Sequence, residues 1–494
     1  MRKSGILMHI TSLPGNYGIG TMGKSAFDFV DFLEKSGQQS WQILPLTPTG
    51  YGDSPYQSNS AYAGNPYLID LDLLIEEGLL TVEEVANRDW CWSSDRVDFG
   101  RQYNNKLAVL RLAYARFEGG ADFDAFLAEQ ESWLPDFALF MALKGENNSA
   151  AWYTWEEGLK FRKAHALNAA RKRLADEIRF YCFVQYTFYK QWTALLTYAH
   201  EKGIEIIGDV PIYVPYDSVE VWCEPGLFQL DKETLTPTAV AGCPPDAFSE
   251  DGQLWGNPLY NWTKMKKQNF AWWVRRMAAA GKLYDIIRLD HFRGFESFWS
   301  VPVDAKTAKE GKWVKGPGEA LIDKIREIAG DKLIIAEDLG DITPEVEALV
   351  RDSGFPGMRV FQFGFDGDPA NTHLPHNYIP NTVAYTGTHD NNTLLGFVWE
   401  CDENTRRDVL DYCGFTDENW NRPESYDAII RTLMSSVADL CILPIQDVLG
   451  FGADCRMNTP GESEDNWNFR VTAEQLASID RRRFVGMNRL YGRM

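Results

Sequence analysis

The stretch DIIRLDHFRG (residues 285–294) decides the fold, because an apolar run rich in β-branched side chains ends in a carboxylate, Asp290. Two other runs end in the same way: LIIAED (residues 333–338) reaches Glu337, and VAYTGTHD (residues 383–390) reaches Asp390. Such runs are typical of buried parallel strands. In a closed barrel the carboxyl ends of these strands meet on one face, so three acids from distant parts of the chain can surround one bond.

Eight apolar runs of this kind occur along the chain, which is the number that a (β/α)8 barrel requires. They are residues 5–10, 41–46, 204–210, 285–289, 333–336, 358–363, 382–385 and 440–445. Apolar residues at helical spacing lie between several of them, for example in residues 25–35 and 344–353. We therefore predict an α/β fold, in which residues 1–494 form a single catalytic (β/α)8 TIM barrel.

Two gaps between the runs are too long for simple crossovers. Residues 51–200 show helical periodicity over much of their length, and residues 216–284 are rich in Gly, Pro and Trp. We predict that the first gap is a mostly helical insertion and the second an active-site rim insertion. Residues 448–494 are too few for a further β-sandwich of ~100 residues. We therefore predict no separate C-terminal β-domain and expect this segment to close the barrel.

The net charge of the chain argues against two classes of binding partner. With 49 basic and 70 acidic residues the formal net charge is −21, which argues against electrostatic binding to nucleic acid or anionic lipid. No apolar run approaches the ~20 residues of a membrane span, and the first residues do not form an export signal. We expect a cytoplasmic protein that binds neither nucleic acid nor membrane.

The cysteine spacing argues against a redox or zinc site, and the aromatic content is compatible with sugar binding. The eight cysteines form no Cys-x-x-Cys pair, the spacing that a zinc ribbon or a dithiol site needs. We expect free, mostly buried thiols. The chain also has 17 Trp, 21 Tyr and 28 Phe residues, many of them in polar, Gly-rich segments where flat rings are available to stack on sugars.

The residue types at the three strand ends suit glycoside chemistry. Arg288 and Asp290 share one face of a strand, so the guanidinium can hold the carboxylate ionised as a nucleophile. Glu337 can act as a general acid if burial or neighbouring negative charge raises its pKa above the usual ~4.3. Taken singly, the first pair could be a structural ion pair, and Glu337 or Asp338 could be an acid at a helix N-terminus.

Further polar and aromatic residues lie in the loops beyond the strands. His389 and Asp390 are placed to reach sugar hydroxyls, and Asp209 ends the third run in a similar way. These residues could also bind a metal, but no HExxH motif or Asp-rich calcium loop accompanies them, so we predict no metal. Tyr56, Phe248 and Trp255 are either stacking platforms for sugars or core residues of their loops.

A GxGxxG match occurs at residues 18–23 and leaves a nicotinamide oxidoreductase as an alternative. The dinucleotide fingerprint requires the glycines directly after a strand and an acid ~20 residues further on, at the end of the next strand. Here residues 11–17 intervene, and the next run ends in PLTP (residues 45–48) without an acid. We interpret this segment as a rim loop.

Several motifs in order resemble the amylomaltases, the 4-α-glucanotransferases allied to the α-amylase clan. The resemblance covers essentially the whole chain. It rests on SLPG (12–15), YGDSPY (51–56), GNPLY (256–260), DHFRG (290–294), EDLG (337–340), THDN (388–391), PIQDVLG (444–450) and NW (466–467). The chain departs from the family pattern at Asn261, Asn392, Phe397 and Phe469, none of which is one of the three acids.

The resemblance implies a (β/α)8 barrel and roles for individual residues. Asp290 would be the nucleophile, Glu337 the acid/base and Asp390 the stabiliser of the transition state. Substrate contacts would come from Tyr56, Asp209, Trp255, Arg288, Phe363 and His389. The expected substrates are α-1,4-glucans, such as maltooligosaccharides and the chains of starch or glycogen, and no cofactor is implied. An amylase-like hydrolase and a catalytically silent glucan-binding protein remain as alternatives.

Overall fold

All eight apolar runs form parallel strands, and these strands close into a barrel in a computed structural model that describes residues 2–50, 52–245, 250–416, 420, 423–462 and 464–494. The barrel order is β1-β12-β11-β10-β9-β6-β3-β2. The twelve strands in chain order are β1 (Lys3–Leu7), β2 (Ser40–Gln42), β3 (Glu205–Val210), β4 (Ala239–Cys243), β5 (Gln253–Pro258), β6 (Ile286–Leu289), β7 (Ser297–Pro302), β8 (Lys312–Lys315), β9 (Leu333–Ala336), β10 (Gly357–Val360), β11 (Thr382–Tyr385) and β12 (Leu440–Pro444). The prediction of a (β/α)8 barrel is confirmed.

Helices cover the outside of the barrel and fill the long connection between β2 and β3. They are α1 (Lys24–Lys35), α2 (Leu71–Glu76), α3 (Val82–Ala86), α4 (Phe99–Tyr114), α5 (Ala121–Glu129), α6 (Leu134–Glu146), α7 (Glu157–Lys160), α8 (Ala164–Arg173), α9 (Ala175–Glu201), α10 (Val219–Cys223), α11 (Trp262–Lys267), α12 (Ala271–Leu283), α13 (Glu319–Ala329), α14 (Pro344–Ser353), α15 (Leu394–Glu400), α16 (Glu403–Tyr412), α17 (Pro423–Ser435), α18 (Ile445–Leu449), α19 (Ala473–Ser478) and α20 (Arg481–Tyr491). The helices predicted at residues 25–35 and 344–353 are confirmed as α1 and α14. Helices α2–α9 all lie between β2 and β3, where helical periodicity was expected.

A second, antiparallel sheet of order β5-β4-β7-β8 was not predicted. Its strands are short and lie in Gly- and Trp-rich segments, so they lack the continuous apolar character of the barrel strands. The sheet joins strands that precede β6 to strands that follow it. It therefore links residues 216–284 to the connection between β6 and β9.

The first and last strands of the barrel in chain order, β1 and β12, pair with each other. Strand β1 pairs in parallel with β12 from Lys3 opposite Leu440 to Leu7 opposite Pro444. The buried guanidinium of Arg493 donates to the carbonyl oxygens of Lys3 (2.9 Å), Met434 (2.7 Å) and Ser436 (3.0 Å). Residues near both ends of the described chain thus contact the same part of the barrel.

Protein atoms lie close against the glycines of the GxGxxG segment. A Cβ atom at Gly20 would lie 1.9 Å from the carbonyl oxygen of Ile10, and one at Gly23 would lie 2.0 Å from Oδ2 of Asp70. A carboxylate beside the N-terminus of α1 repels an anion. Residues 18–23 therefore serve the turn into α1 and do not form a dinucleotide site.

None of the eight cysteines, all of them among the described residues, forms a disulfide, as predicted, but the expectation that most are buried is wrong. Only Cys182 and Cys441 are buried, and the other six are partly exposed, because they lie at the ends of helices and of strand β4 or in loops. Among the described residues, no helix combines the length and the apolar character that crossing a membrane requires.

Candidate active site

The three predicted acids converge on a cleft at the carboxyl ends of the barrel strands. Asp290 follows β6, Glu337 follows β9, and Asp390 lies in the loop after β11. The cleft encloses about 1860 Å³, open solvent included. Eight of the nine predicted site residues line it: Tyr56, Trp255, Arg288, Asp290, Glu337, Phe363, His389 and Asp390.

Asp209, the ninth residue, lies beneath the cleft with a side chain that is 0% exposed. Its Oδ2 accepts hydrogen bonds from Nη1 of Arg288 at 2.6 Å and from the hydroxyl of Tyr56 at 2.8 Å. Burial raises the pKa of Asp209, and the guanidinium opposes that shift. Asp209 reaches the cleft only through these two partners, so its geometry suits holding them in place.

Arg288 donates hydrogen bonds to two carboxyl groups, those of Asp209 and Asp290. The same Nη1 atom donates to Oδ1 of Asp290 at 3.1 Å, a longer contact than the one to Asp209. Burial raises the pKa of Asp290, and Arg288 lowers it. Arg288 therefore favours the ionised form of Asp290, as expected, but burial has the larger effect on its pKa. The Asp290 side chain, which is 25% exposed, faces the cleft.

Glu337 has the environment of a general acid. Its Oε2 accepts the backbone N–H of His291 at 2.5 Å, and its Oε1 accepts that of Leu339 at 3.1 Å. Burial raises the pKa of Glu337 to about 8; Arg288 opposes the shift and Asp290 adds to it. A carboxyl group with this pKa keeps its proton at neutral pH.

The alternative that Glu337 or Asp338 stands at a helix N-terminus is wrong, because the next helix, α14, begins at Pro344. Asp338 instead accepts the backbone N–H of Met358 at 2.6 Å and a hydrogen bond from Arg359 at 2.9 Å. A Cβ atom at Gly357 would lie 2.4 Å from Oδ2 of Asp338. Asp338 therefore ties β9 to β10 and positions the loop that carries Glu337.

Asp390 is held by residues that follow it by more than sixty positions. Nδ2 of Asn458 donates to its Oδ1 at 2.6 Å, and Nη2 of Arg456 donates to its backbone oxygen at 2.5 Å. Nε2 of His389 lies 3.3 Å from its other carboxyl oxygen. The Asp390 side chain is 43% exposed and remains open to the cleft.

Aromatic rings line the cleft beside these acids. Tyr56 stacks on His389 with ring centroids 5.3 Å apart and planes 15° apart, and Trp467 lies 5.7 Å from Tyr56. Trp255 meets His291 edge to face at 4.9 Å. The rings of Tyr56 and Trp255 therefore belong to the cleft and not to an isolated loop core. Phe248, the third expected platform, and Tyr51 of the YGDSPY motif lie outside the described residues.

Phe363 closes a short 3-10 turn after β10, spanning Phe361–Phe363. It lies on the cleft with its ring 5.6 Å from His373. Among the described residues, no group of three or more His, Cys, Asp or Glu side chains is placed to hold a metal ion.

Three features of the site were not expected from the sequence. Asn458 carries no local signal, because it binds Asp390 across a loop contact. Trp467 belongs to a motif of the resemblance, yet its motif does not reveal that it contacts Tyr56 and His389. His291 has a left-handed backbone (φ 49°, ψ 50°), which is unusual for a residue with a side chain and aims its N–H at Glu337.

The arrangement brings together in one cleft the Asp290 carboxyl group, which Arg288 contacts, the Glu337 carboxyl group, whose pKa is raised, and the Asp390 carboxyl group. That combination can cleave and re-form a glycosidic bond. A carbohydrate also fits the aromatic lining, because sugar faces pack on flat rings while hydroxyls bind the acids.

Comparison with known proteins agrees with this chemistry. Residues 8–476 match the family described as 4-alpha-glucanotransferase. The 4-alpha-glucanotransferase of Clostridium butyricum is 47% identical over 492 residues, which cover 98% of this chain and 100% of the relative. That of Thermus thermophilus is 46% identical over 485 residues, covering 96% of each chain.

Solved structures give the same picture. The amylomaltase from Streptococcus agalactiae in complex with acarbose superposes with a TM-score of 0.96 at 43% identity, covering 100% of both chains. The amylomaltase from Corynebacterium glutamicum shares the fold, with a TM-score of 0.80 at 18% identity over 100% of this chain and 75% of the other.

Proposed function

The chain belongs to the 4-alpha-glucanotransferase family, and from that premise we propose how it acts on its substrate. It is a retaining glucanotransferase that moves α-1,4-linked glucan segments from a donor maltodextrin or starch chain to the 4-hydroxyl of an acceptor glucan or glucose. The observation that carries the proposal is the pairing of Glu337, whose pKa is raised to about 8, with Asp290, which Arg288 contacts at 3.1 Å.

In the first step the carboxylate of Asp290 attacks the anomeric carbon while the glycosidic C–O bond breaks. Glu337 gives its proton to the leaving oxygen, so the shortened donor departs as a neutral alcohol. A covalent glycosyl-enzyme remains. In the second step the 4-hydroxyl of the acceptor attacks the same carbon, Glu337 takes up its proton, and Asp290 is released. Two inversions at one carbon retain the configuration.

Asp390 acts on the sugar that carries the developing charge. Asn458 donates a hydrogen bond to one of its carboxyl oxygens and His389 lies 3.3 Å from the other. The exposed part of the group is available to ring hydroxyls. Hydrogen bonds that tighten as the sugar flattens stabilise the transition state more than the ground state. Asp209 supports the reaction indirectly, because it holds Arg288 and Tyr56 and is itself unexposed.

Transfer requires that a sugar hydroxyl reaches the intermediate before water does. The aromatic rings around the cleft favour this outcome, because they raise the residence of the acceptor and displace water. The family relationship points to transfer rather than hydrolysis.

Incubation with maltotriose tests the proposal. Transfer yields glucose together with a ladder of longer maltodextrins, whereas simple shortening of the substrate would indicate an amylase-like hydrolase. The Asp290→Ala variant should lose both products. An Asp290→Ala protein with turnover near that of the wild type would refute the assigned role, and proton NMR of the first product reports whether the α-configuration is retained.

A further inference from the structure

The position of Glu337 defines the acceptor side of the cleft. A general acid stands beside the leaving oxygen, and the acceptor hydroxyl later occupies the same place. The residues that follow Glu337 in the chain, Leu339, Gly340 and Asp341, line the cleft on that side. The acceptor sugar should therefore lie near this loop.

Trp313 lines the cleft on the same side, together with Arg293. It belongs to β8, the edge strand of the four-stranded sheet. It is half-buried, so part of its surface stays open. None of the sequence patterns drew attention to this residue.

The indole of Trp313 is held in place before any sugar arrives. The guanidinium carbon of Arg293 lies 3.5 Å from its ring centroid, and Trp299 contacts it edge to face with centroids 5.0 Å apart. Arg293 is itself fixed, because it donates to the backbone oxygen of Asp341 and to Oγ of Ser297. Its side chain is 3% exposed.

Arg293 thus links the tryptophan to the loop that follows Glu337. An aromatic ring that is already ordered loses little conformational entropy when a ligand stacks on it. Arg293 lies over the indole, and the part of the ring that lines the cleft is open to a neutral, flat ligand. A pyranose ring has that shape.

We propose that Trp313 is a stacking platform for the acceptor sugar and that it sets how well the enzyme uses acceptors in place of water. The inference rests on the proposed function, because only a transferase needs a bound acceptor. It assigns Trp313 to acceptor binding and not to the donor, whose reacting sugar lies among Asp290, Asp390 and His389.

The test measures incorporation of labelled glucose into maltodextrins, with maltotriose as donor and glucose as the varied acceptor. Trp313→Ala should raise the KM for glucose about tenfold, the effect of losing one aromatic stack of about 1.4 kcal/mol. The donor KM should stay within about twofold of the wild type, and free hydrolysis products should increase relative to transfer. Trp313→Phe, which keeps a smaller ring, should show an intermediate acceptor KM.

The matched control is Trp92→Ala, which removes a tryptophan that is 68% exposed outside the cleft. It should leave both KM values unchanged. Circular dichroism reports whether each variant folds. If Trp313→Ala does not fold, the acceptor KM of Trp313→Phe decides the test.

An unchanged acceptor KM and an unchanged transfer-to-hydrolysis ratio in a folded variant would overturn the inference. A parallel loss for donor and acceptor would also overturn it, since that pattern indicates a structural role. If the wild-type enzyme itself makes no labelled ladder, the proposed function fails first, and the two failures are thereby distinguished.

Discussion

The raised pKa of Glu337 should appear directly as the alkaline limit of activity. At pH 7 a carboxyl group with a pKa of about 8 is about 90% protonated, whereas one at the ordinary value of 4.5 is about 0.3% protonated. Burial therefore increases the fraction of enzyme with a competent acid about 300-fold at that pH. We expect kcat/KM for maltotriose to fall about tenfold for each pH unit above about 8.

The assay is the initial rate of glucose release between pH 5 and pH 10, with Glu337→Gln beside the wild type. The variant should lose about 10²- to 10⁴-fold in activity on maltotriose, the usual contribution of a general acid. With α-maltosyl fluoride as donor, whose leaving group needs no proton, the first step should largely recover and show no alkaline limb.

Glu220→Gln is the matched control for this experiment. Burial also raises the pKa of Glu220, to about 7, but the residue does not line the cleft and binds Oγ of Ser60 and the N–H of Ala61. Its replacement should leave the alkaline limb in place. A wild-type profile that stays flat to pH 10, or a limb that persists in Glu337→Gln, would refute the reasoning.

Three other predictions concern stability and the residues around the acids. The proton of Glu220 stabilises the fold fully below the unfolded pKa of 4.5, and this stability is lost as the pH rises through about 7. The Tm of Glu220→Gln should therefore fall less between pH 5 and pH 8 than that of the wild type. An equal fall of Tm with pH in both proteins would contradict the assignment. Asn458→Ala removes the amide that donates to Asp390 at 2.6 Å and should lower kcat about tenfold with a smaller effect on KM, because a hydrogen bond to a charged group contributes about 1.5 kcal/mol or more; an unchanged kcat would show that Asp390 is held without it. Tyr56→Phe keeps the ring that stacks on His389 but removes the hydroxyl that donates to Asp209, so kcat/KM should fall about tenfold while the fold survives; a fall in activity matched by a lower Tm would mean that the hydroxyl serves stability alone.

The sequence predicts the barrel because burial on both faces of a parallel strand demands an unbroken apolar run, as in LIIA (residues 333–336). The same feature locates Asp290 and Glu337, since a polar residue directly after such a run must lie at the carboxyl edge. The antiparallel sheet cannot be predicted in this way, because its strands are not unbroken apolar runs. Its strand β8 is the four-residue KWVK, in which two apolar residues stand between lysines; it is too short and lacks the alternation that would distinguish it from a loop.

Contacts between distant loops are also beyond the sequence. Nothing in MNTP (residues 457–460) indicates that Asn458 binds Asp390. The net pKa shift of Asp290 is likewise unpredictable, because Arg288 lowers the pKa and burial raises it, and only the structure shows that burial is the larger effect. The position of Asp209 beneath the cleft depends in the same way on how deeply β3 is packed.

The pairing of β1 with β12 has a consequence for how the protein is made. A ribosome releases Lys3–Leu7 long before Leu440–Pro444, so the emerging chain exposes the unpaired edge of β1 during most of its synthesis. Contacts so remote in sequence slow folding and leave time for aggregation. Truncation within residues 440–494 should therefore yield insoluble protein, because it removes β12 or the Arg493 side chain that binds the Lys3 carbonyl.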